Sequence, residues 1–305
     1  MTTETNHTSA TPGEVADAPG WQVDWLNAWL AAIGLLWLEP AARVAWSTDP
    51  VPHARLHAPG SDPASAIAEA LPDLAALQRL AIASEHPSSS RPFKRNPSLD
   101  DYRARAALAR ADHDFSLSVS VTDLTSDASR ELPHSPLDPP APKGQTLWDR
   151  LVRVREKLDA QAPNTVEAAA RSLQGVPTRV QANGLGFDVR RIDPAAGGDE
   201  LTVDPIVECL ALFGLALLPI RGDGVRPTTR GWRGPALRGG SFRWPAWSDW
   251  LDVWAVDGLL DRCHAAAHEA HRIGRWGVAA VFETVPYQPT GQSDVRRGYA
   301  SRRLW

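Results

Sequence analysis

Two stretches of this chain are apolar almost all the way round a helix. In the first, Trp25, Leu26, Trp29, Leu30, Ile33, Leu36 and Trp37 cover most of the circumference; the second runs from Ile206 to Leu218. A helix apolar on every side belongs inside a protein. Each stretch therefore predicts a core helix, the first capped by Asp24 and stopped by Pro40, the second started by Asp204-Pro205. Both are shorter than the ~20 apolar residues a membrane span needs. Period-two patterns predict strands: Arg43–Trp46 and His53–His57 as a hairpin, Phe115–Val121 with one hydroxyl-bearing face, and 277–285 as a buried closing strand. Further helices are expected over about 62–84, 98–110, 146–161, 165–173 and 248–273, with Trp247, Trp250, Leu251 and Trp254 as a core stripe at the start of the last. Proline and serine make 86–97 and 125–145 irregular.

These elements predict an α+β fold in which buried helices pack on small mixed or antiparallel sheets. Residues 1–19 lack apolar periodicity and are expected to be disordered. An N-terminal α+β domain over 20–194, carrying the Pro-rich loop 125–145, precedes a boundary at Ala195–Asp199. A C-terminal α+β domain over 200–290 follows, and 291–305 is a basic tail. The two core helices also echo each other. Asp24–Leu38 and Asp204–Leu218 align without a gap at an offset of 180 and share Asp, Leu, Ala, Gly, Leu and Leu. Two related halves are one reading, in which Gly34 and Gly214 each let a helix approach a sheet; the other is that buried helices draw on few residue types.

At 305 residues and 43% hydrophobic content the chain can bury a sizeable core, and its two cysteines, Cys209 and Cys263, sit in apolar patterns without a metal or redox motif. No secretory signal is read at the N-terminus, so the expected location is the cytoplasm, away from membranes. A net charge of −4 excludes a uniformly basic coat and leaves only local patches for polyanions. The strongest patch is 221–244, where Arg221, Arg226, Arg230, Arg233, Arg238 and Arg243 meet a single acid, Asp223, among glycines and tryptophans. Guanidinium binds phosphate bidentately and indole offers a stacking face, so these six arginines with Trp232 and Trp244 are the candidate nucleic-acid contacts. The opposing reading makes the tryptophans core and the arginines a solvated rim. Arg91, Lys94 and Arg95 around Phe93 are a second candidate contact.

Asp257, Asp261, His264, His268, Glu269 and His271 recur at spacings that place both aspartates and all three histidines on one helical stripe. Imidazoles at i and i+4 can share a metal, which gives an alternative reading: a hydrolase using His264, His268 and His271 with Glu269 as base. The stripe is not His-Glu-x-x-His, and phosphate-loop, nucleophile-elbow and Cys-x-x-Cys motifs are all missing, so the expectation is no enzyme, no cofactor and no metal.

Several segments resemble CRISPR-associated proteins of subtype I-G, formerly I-U. They are Trp29–Leu36 leading to a strand ending at Trp46 and a Pro-Val-Pro turn, Ser135–Leu151, Phe213–Asp223 and Phe242–Pro245. The resemblance implies a non-catalytic, large-subunit-type or accessory component of an antiviral effector complex, contacting crRNA or target DNA and neighbouring effector subunits. A protein-only interaction scaffold is the remaining alternative.

Overall fold

The computed structural model describes residues 14–79, 98, 100, 107, 137, 147–182, 184–185, 202–219, 221–222, 227–234, 240–286 and 299–305. In chain order its elements are β1 (Val15–Gln22), α1 (Leu26–Leu38), β2 (Arg43–Trp46), β3 (His53–His57), α2 (Pro63–Ala70), α3 (Leu74–Arg79), α4 (Leu147–Gln161), α5 (Thr165–Leu173), β4 (Val180–Gln181) and β5 (Thr202–Val203). They continue with α6 (Pro205–Gly214), β6 (Arg221–Gly222), β7 (Pro227–Thr228), β8 (Trp232–Arg233), β9 (Ser241–Trp247), α7 (Val253–Ala265), α8 (Ala270–Ile273), β10 (Val278–Pro286) and β11 (Tyr299–Arg303).

The all-round apolar stretches are the two central helices. Every residue of α6 is buried, as is α1 from Leu26 to Leu36. The helices cross backbone to backbone at their glycines. A Cβ on Gly34 would overlap the carbonyl oxygen of Leu210, and a Cβ on Gly214 would overlap that of Leu30. These contacts are reciprocal under the 180-residue offset, because Leu30 corresponds to Leu210 and Gly34 to Gly214. A self-complementary contact of this form is what a two-fold interface has. The glycines thus serve a helix–helix crossing rather than the helix–sheet contact expected. The start sites differ: Asp204 caps α6 by accepting from the amides of Ile206 and Val207 at 3.0 and 3.3 Å, whereas α1 begins with Trp25 at the capping position and has no side-chain cap.

Antiparallel sheets flank the crossing. One has the order β1-β3-β2 and the larger has the order β11-β10-β9-β8; β4–β5 and β6–β7 form two-stranded pairs. The fold is α+β. Indole N–H groups tie the halves together: Trp29 donates to the carbonyl of Pro245 at 2.9 Å, Trp244 to that of Val23 at 2.8 Å, and Trp247 to that of Val44 at 2.8 Å. One core cluster therefore draws on both the 20–194 and the 200–290 segments.

Other expectations need revision. Residues 15–18, within the stretch expected to be disordered, pair with β3, because alternate side chains such as Ala18 reach the core. Part of the basic tail is β11, paired with β10. The helix expected over 62–84 is interrupted between Ala70 and Leu74, where Pro72 cannot continue it. Trp247 ends β9, and Asp252, not Ser248, caps α7 by accepting from Ala255 N. The segments expected over 86–97, 115–121 and 125–145, with Arg91, Phe93, Lys94 and Arg95, lie outside the described residues apart from Leu137. No helix among the described residues is long and apolar enough to cross a membrane.

Candidate functional site

Strand alternation sorts the arginine-rich segment into two faces. Trp232 pairs with Phe242 across β8 and β9, and both side chains point into the core with Trp244. Trp244 is 0% exposed, lies between Phe242 and Phe282 with ring centroids 5.9 and 6.1 Å away, and has its N–H committed to Val23. Neither tryptophan presents a face on which a base could stack, so the expected stacking role is corrected. A deep core demanded large apolar rings on that face, and β alternation left the arginines on the other.

Arg230 is also corrected. It is buried, its Nη1 donates to Asp257 Oδ1 and to the carbonyl of Leu217, and its Nε lies 2.8 Å from Asp261 Oδ1. The acids of the supposed catalytic stripe are thus partners of an arginine from the supposed phosphate-binding segment. Arg233 and Arg243 lie on the opposite face, against the end of α7. Arg233 Nη2 donates to the carbonyl of His264 at 3.1 Å and Arg243 Nη1 to that of Ala267 at 3.4 Å, so both help neutralise the carbonyl end of α7. Arg221 lies in β6, where its backbone pairs with Thr228; Arg226 and Arg238 lie outside the described residues.

The same face carries an acid from outside the arginine-rich segment. Glu283, on the central strand β10, sits opposite Arg243 of β9 and Arg302 of β11. It accepts from Arg243 Nε at 2.8 Å, Arg302 Nη2 at 2.7 Å and the Ser241 hydroxyl at 2.9 Å. Burial pushes its carboxyl up, but the hydrogen bonds from Arg243, Arg302 and Ser241 outweigh burial and hold it below its ordinary value. Arg302 remains 64% exposed. No local pattern marks it, since 299–303 is too short and mixed to read as a strand, and it joins the site only through β10.

The histidine stripe breaks at Ala266. There α7 ends in a Schellman motif, with Ala267 N–H donating to the carbonyl of His264 and His268 N–H to that of Cys263. Ala267 and His268 both take left-handed backbone, φ 55° and 58°. This turn throws His268 inward while His271 stays exposed beside Glu269. His264 Nδ1 accepts from the Gly231 amide at 3.1 Å. Burial, then the charges of Arg233, Arg243 and His264, pull the His268 pKa down to about 3, so it is neutral near pH 7. The three histidines are not on one face, and among the described residues no group of three or more His, Cys, Asp or Glu could hold a metal ion. Burial pushes both cysteine thiols up to about 12, as core residues rather than nucleophiles.

A second polar centre lies where α5 and α6 meet β1. The Trp21 indole donates to Ser172 Oγ at 3.0 Å, whose hydroxyl donates to Asp204 Oδ2 at 2.5 Å. Glu208, one turn on, accepts from Asn27 Nδ2 and from the Leu185 amide, each at 2.6 Å. Burial pushes the Asp204 carboxyl up to about 6 despite these donors. Asp204 and Glu208 line a cavity of about 230 Å³ with Gln22, Trp25, Ser172 and Arg179. Both carboxylates already have partners on the chain, and those partners span both halves, so the centre is architectural. No family model, curated protein or solved structure matches the chain.

Proposed function

We propose that the protein is a non-catalytic subunit of a CRISPR effector complex of the type I-G kind, which contacts crRNA or target DNA through the arginine face around the α7–α8 turn and meets neighbouring effector subunits. One observation carries the nucleic-acid part. Four guanidiniums, those of Arg233, Arg243, Arg272 and Arg302, surround two carboxylates, Glu269 and Glu283, leaving a surplus of two positive charges on a partly exposed face of an otherwise acidic protein. Such a surplus attracts anionic partners, and phosphate backbone is an anion that arginine forks match well. The effector assembly itself rests on the segment resemblances described above.

Binding of a single-stranded oligonucleotide, followed by fluorescence anisotropy, should weaken steeply with salt, with a log–log slope of roughly −3 for four phosphate contacts. Neutralising the exposed charges with Arg302→Gln and Arg272→Gln should lower the affinity of the folded protein at least about tenfold, as two lost charge-assisted contacts require, with some loss of melting temperature because Arg302 also pairs with the buried Glu283. Salt-independent binding, or unchanged affinity in the double variant, would refute the reading.

A protein-only scaffold is favoured instead by Trp254, which is 74% exposed on α7. On that reading Trp254→Ser abolishes capture of effector subunits in the absence of RNA, whereas Arg302→Gln leaves it intact.

A further inference from the structure

Inside the arginine face, three side chains of one small region stand out together. Arg233 Nε and His268 Nδ1 are both buried without a hydrogen-bond partner among the described residues, and Arg243, directed at the same turn, spends one Nη on the carbonyl of Ala267. A buried donor or acceptor left unmade is costly, and native structures retain few of them. The backbone that holds His268 there is itself costly, since two consecutive non-glycine residues sit in left-handed conformation. Strain and unmade bonds thus converge on one point between β8, β9 and the α7–α8 turn.

We infer that this point is a discrete oxyanion site in which Arg233, Arg243 and His268 together receive a single phosphate group. The inference rests on the nucleic-acid reading above for its natural ligand, a backbone phosphate, but the same chemistry would take a free phosphate or a small phosphorylated molecule. The chemistry fits a tetrahedral dianion. Arg233 offers Nε and Arg243 its remaining guanidinium donors, both in fixed planes. His268 is neutral while two cations face it, because burial and those cations expel its proton. A phosphate placed between them reverses that field, so the imidazole gains a proton and becomes a third donor. The other charged groups around the turn are His264 on α7, Glu269 just beyond it and Glu283 on β10. Glu269 acts on Arg233 from an exposed position and is shared with Arg272 and His271, and Glu283 is taken up by Arg243 and Arg302. Neither carboxylate hydrogen-bonds Arg233 Nε.

The test uses the full chain, isotopically labelled, with the imidazole nitrogens of His268 read by long-range nitrogen–proton correlation at pH 6.5. Titration with inorganic phosphate should move the His268 signals saturably from the neutral toward the protonated pattern. Arg233→Gln should weaken that response at least about tenfold, whereas Arg275→Gln, an equal charge change beside Trp276, should leave it unchanged. Silence of His268 at saturating phosphate in the unmodified protein overturns the site without appeal to any variant, as does an equal effect of Arg275→Gln, which would mean diffuse electrostatics. A parallel titration with a single-stranded oligonucleotide separates the sources. If it drives the same His268 change and competes with phosphate, the ligand is backbone phosphate. If phosphate acts and the oligonucleotide does not bind, the site stands for a small phosphorylated ligand and the nucleic-acid reading falls. If the oligonucleotide binds with His268 silent, the nucleic-acid reading stands and this site falls.

Discussion

Arg230 and Ala267 show how single positions on the arginine face are constrained. Arg230 holds two aspartates that lie one turn apart on α7 and would otherwise repel each other. Its own side chain is buried while both acids are about half exposed. Replacing it with alanine removes the ion pairs, leaves that repulsion and opens a void. A loss of about 3 kcal/mol in denaturant unfolding is expected, at the low end for a broken buried pair because the aspartates still reach water. Oligonucleotide affinity of the folded fraction should not change; a drop there would return Arg230 to the ligand-contacting set. Ala267 takes the left-handed position of the Schellman motif, where glycine is the usual residue. That conformation costs an L-residue roughly 1–2 kcal/mol, and glycine's greater freedom when unfolded offsets about half of the gain. Ala267→Gly should therefore stabilise the protein by about 0.5–1 kcal/mol. No gain in midpoint would mean that the turn is not held as described.

At the scale of elements, the α1–α6 crossing sets the geometry of everything else. With backbone atoms in the way on both sides, not even alanine fits at Gly34 or Gly214. Either Gly→Ala change should force the helices apart and cost about 3 kcal/mol, the upper part of the overpacking range. Because one outward shift relieves both clashes, the double variant should cost clearly less than the sum of the singles, and strict additivity in a double-mutant cycle would argue against a shared crossing. Much of this was legible beforehand. Continuous apolar character named both helices, and the gapless echo singled out the two glycines, because one-dimensional patterns record burial directly. What the glycines touch was not legible, since a helix packed against a helix and one packed against a sheet call for the same small residue. The arginine segment failed in a similar way. A strand of alternating Trp and Arg reads as a binding ribbon until it is known which face is covered, and α7 covers part of the arginine face through pairs more than twenty residues away in sequence, such as Arg230 with Asp257 and Asp261. In the sequence Arg302 reads only as part of a basic tail, because its place beside Glu283 lies wholly in the register of β11 on β10.

Over the whole molecule, two buried groups give the folding equilibrium opposite pH dependences that hide each other. The folded pKa of His268, about 3, lies below its ordinary 6.5. As pH falls below 6.5 the unfolded chain takes up a proton there that the folded protein refuses, so stability is lost by up to about 1.4 kcal/mol per pH unit. The folded pKa of Asp204, about 6, lies above its ordinary 3.8. There the folded protein takes the proton first, so stability rises as pH falls from 6 toward 4 and is lost as pH rises back through 6. The two slopes oppose each other over the same window, and the unmodified protein should show a nearly flat urea-unfolding free energy between pH 6 and about 4.5. Above that limit Glu283, whose carboxyl is held below its ordinary value, does not yet contribute its own acid loss. The variants should expose the two components. Asp204→Asn keeps a side-chain oxygen for the α6 cap and should become progressively less stable on acidification. His268→Asn, which tolerates left-handed backbone, should become more stable over the same range. If both variants track the unmodified protein, neither group has the burial described, and the opposition between the α6 cap and the α7–α8 turn does not exist.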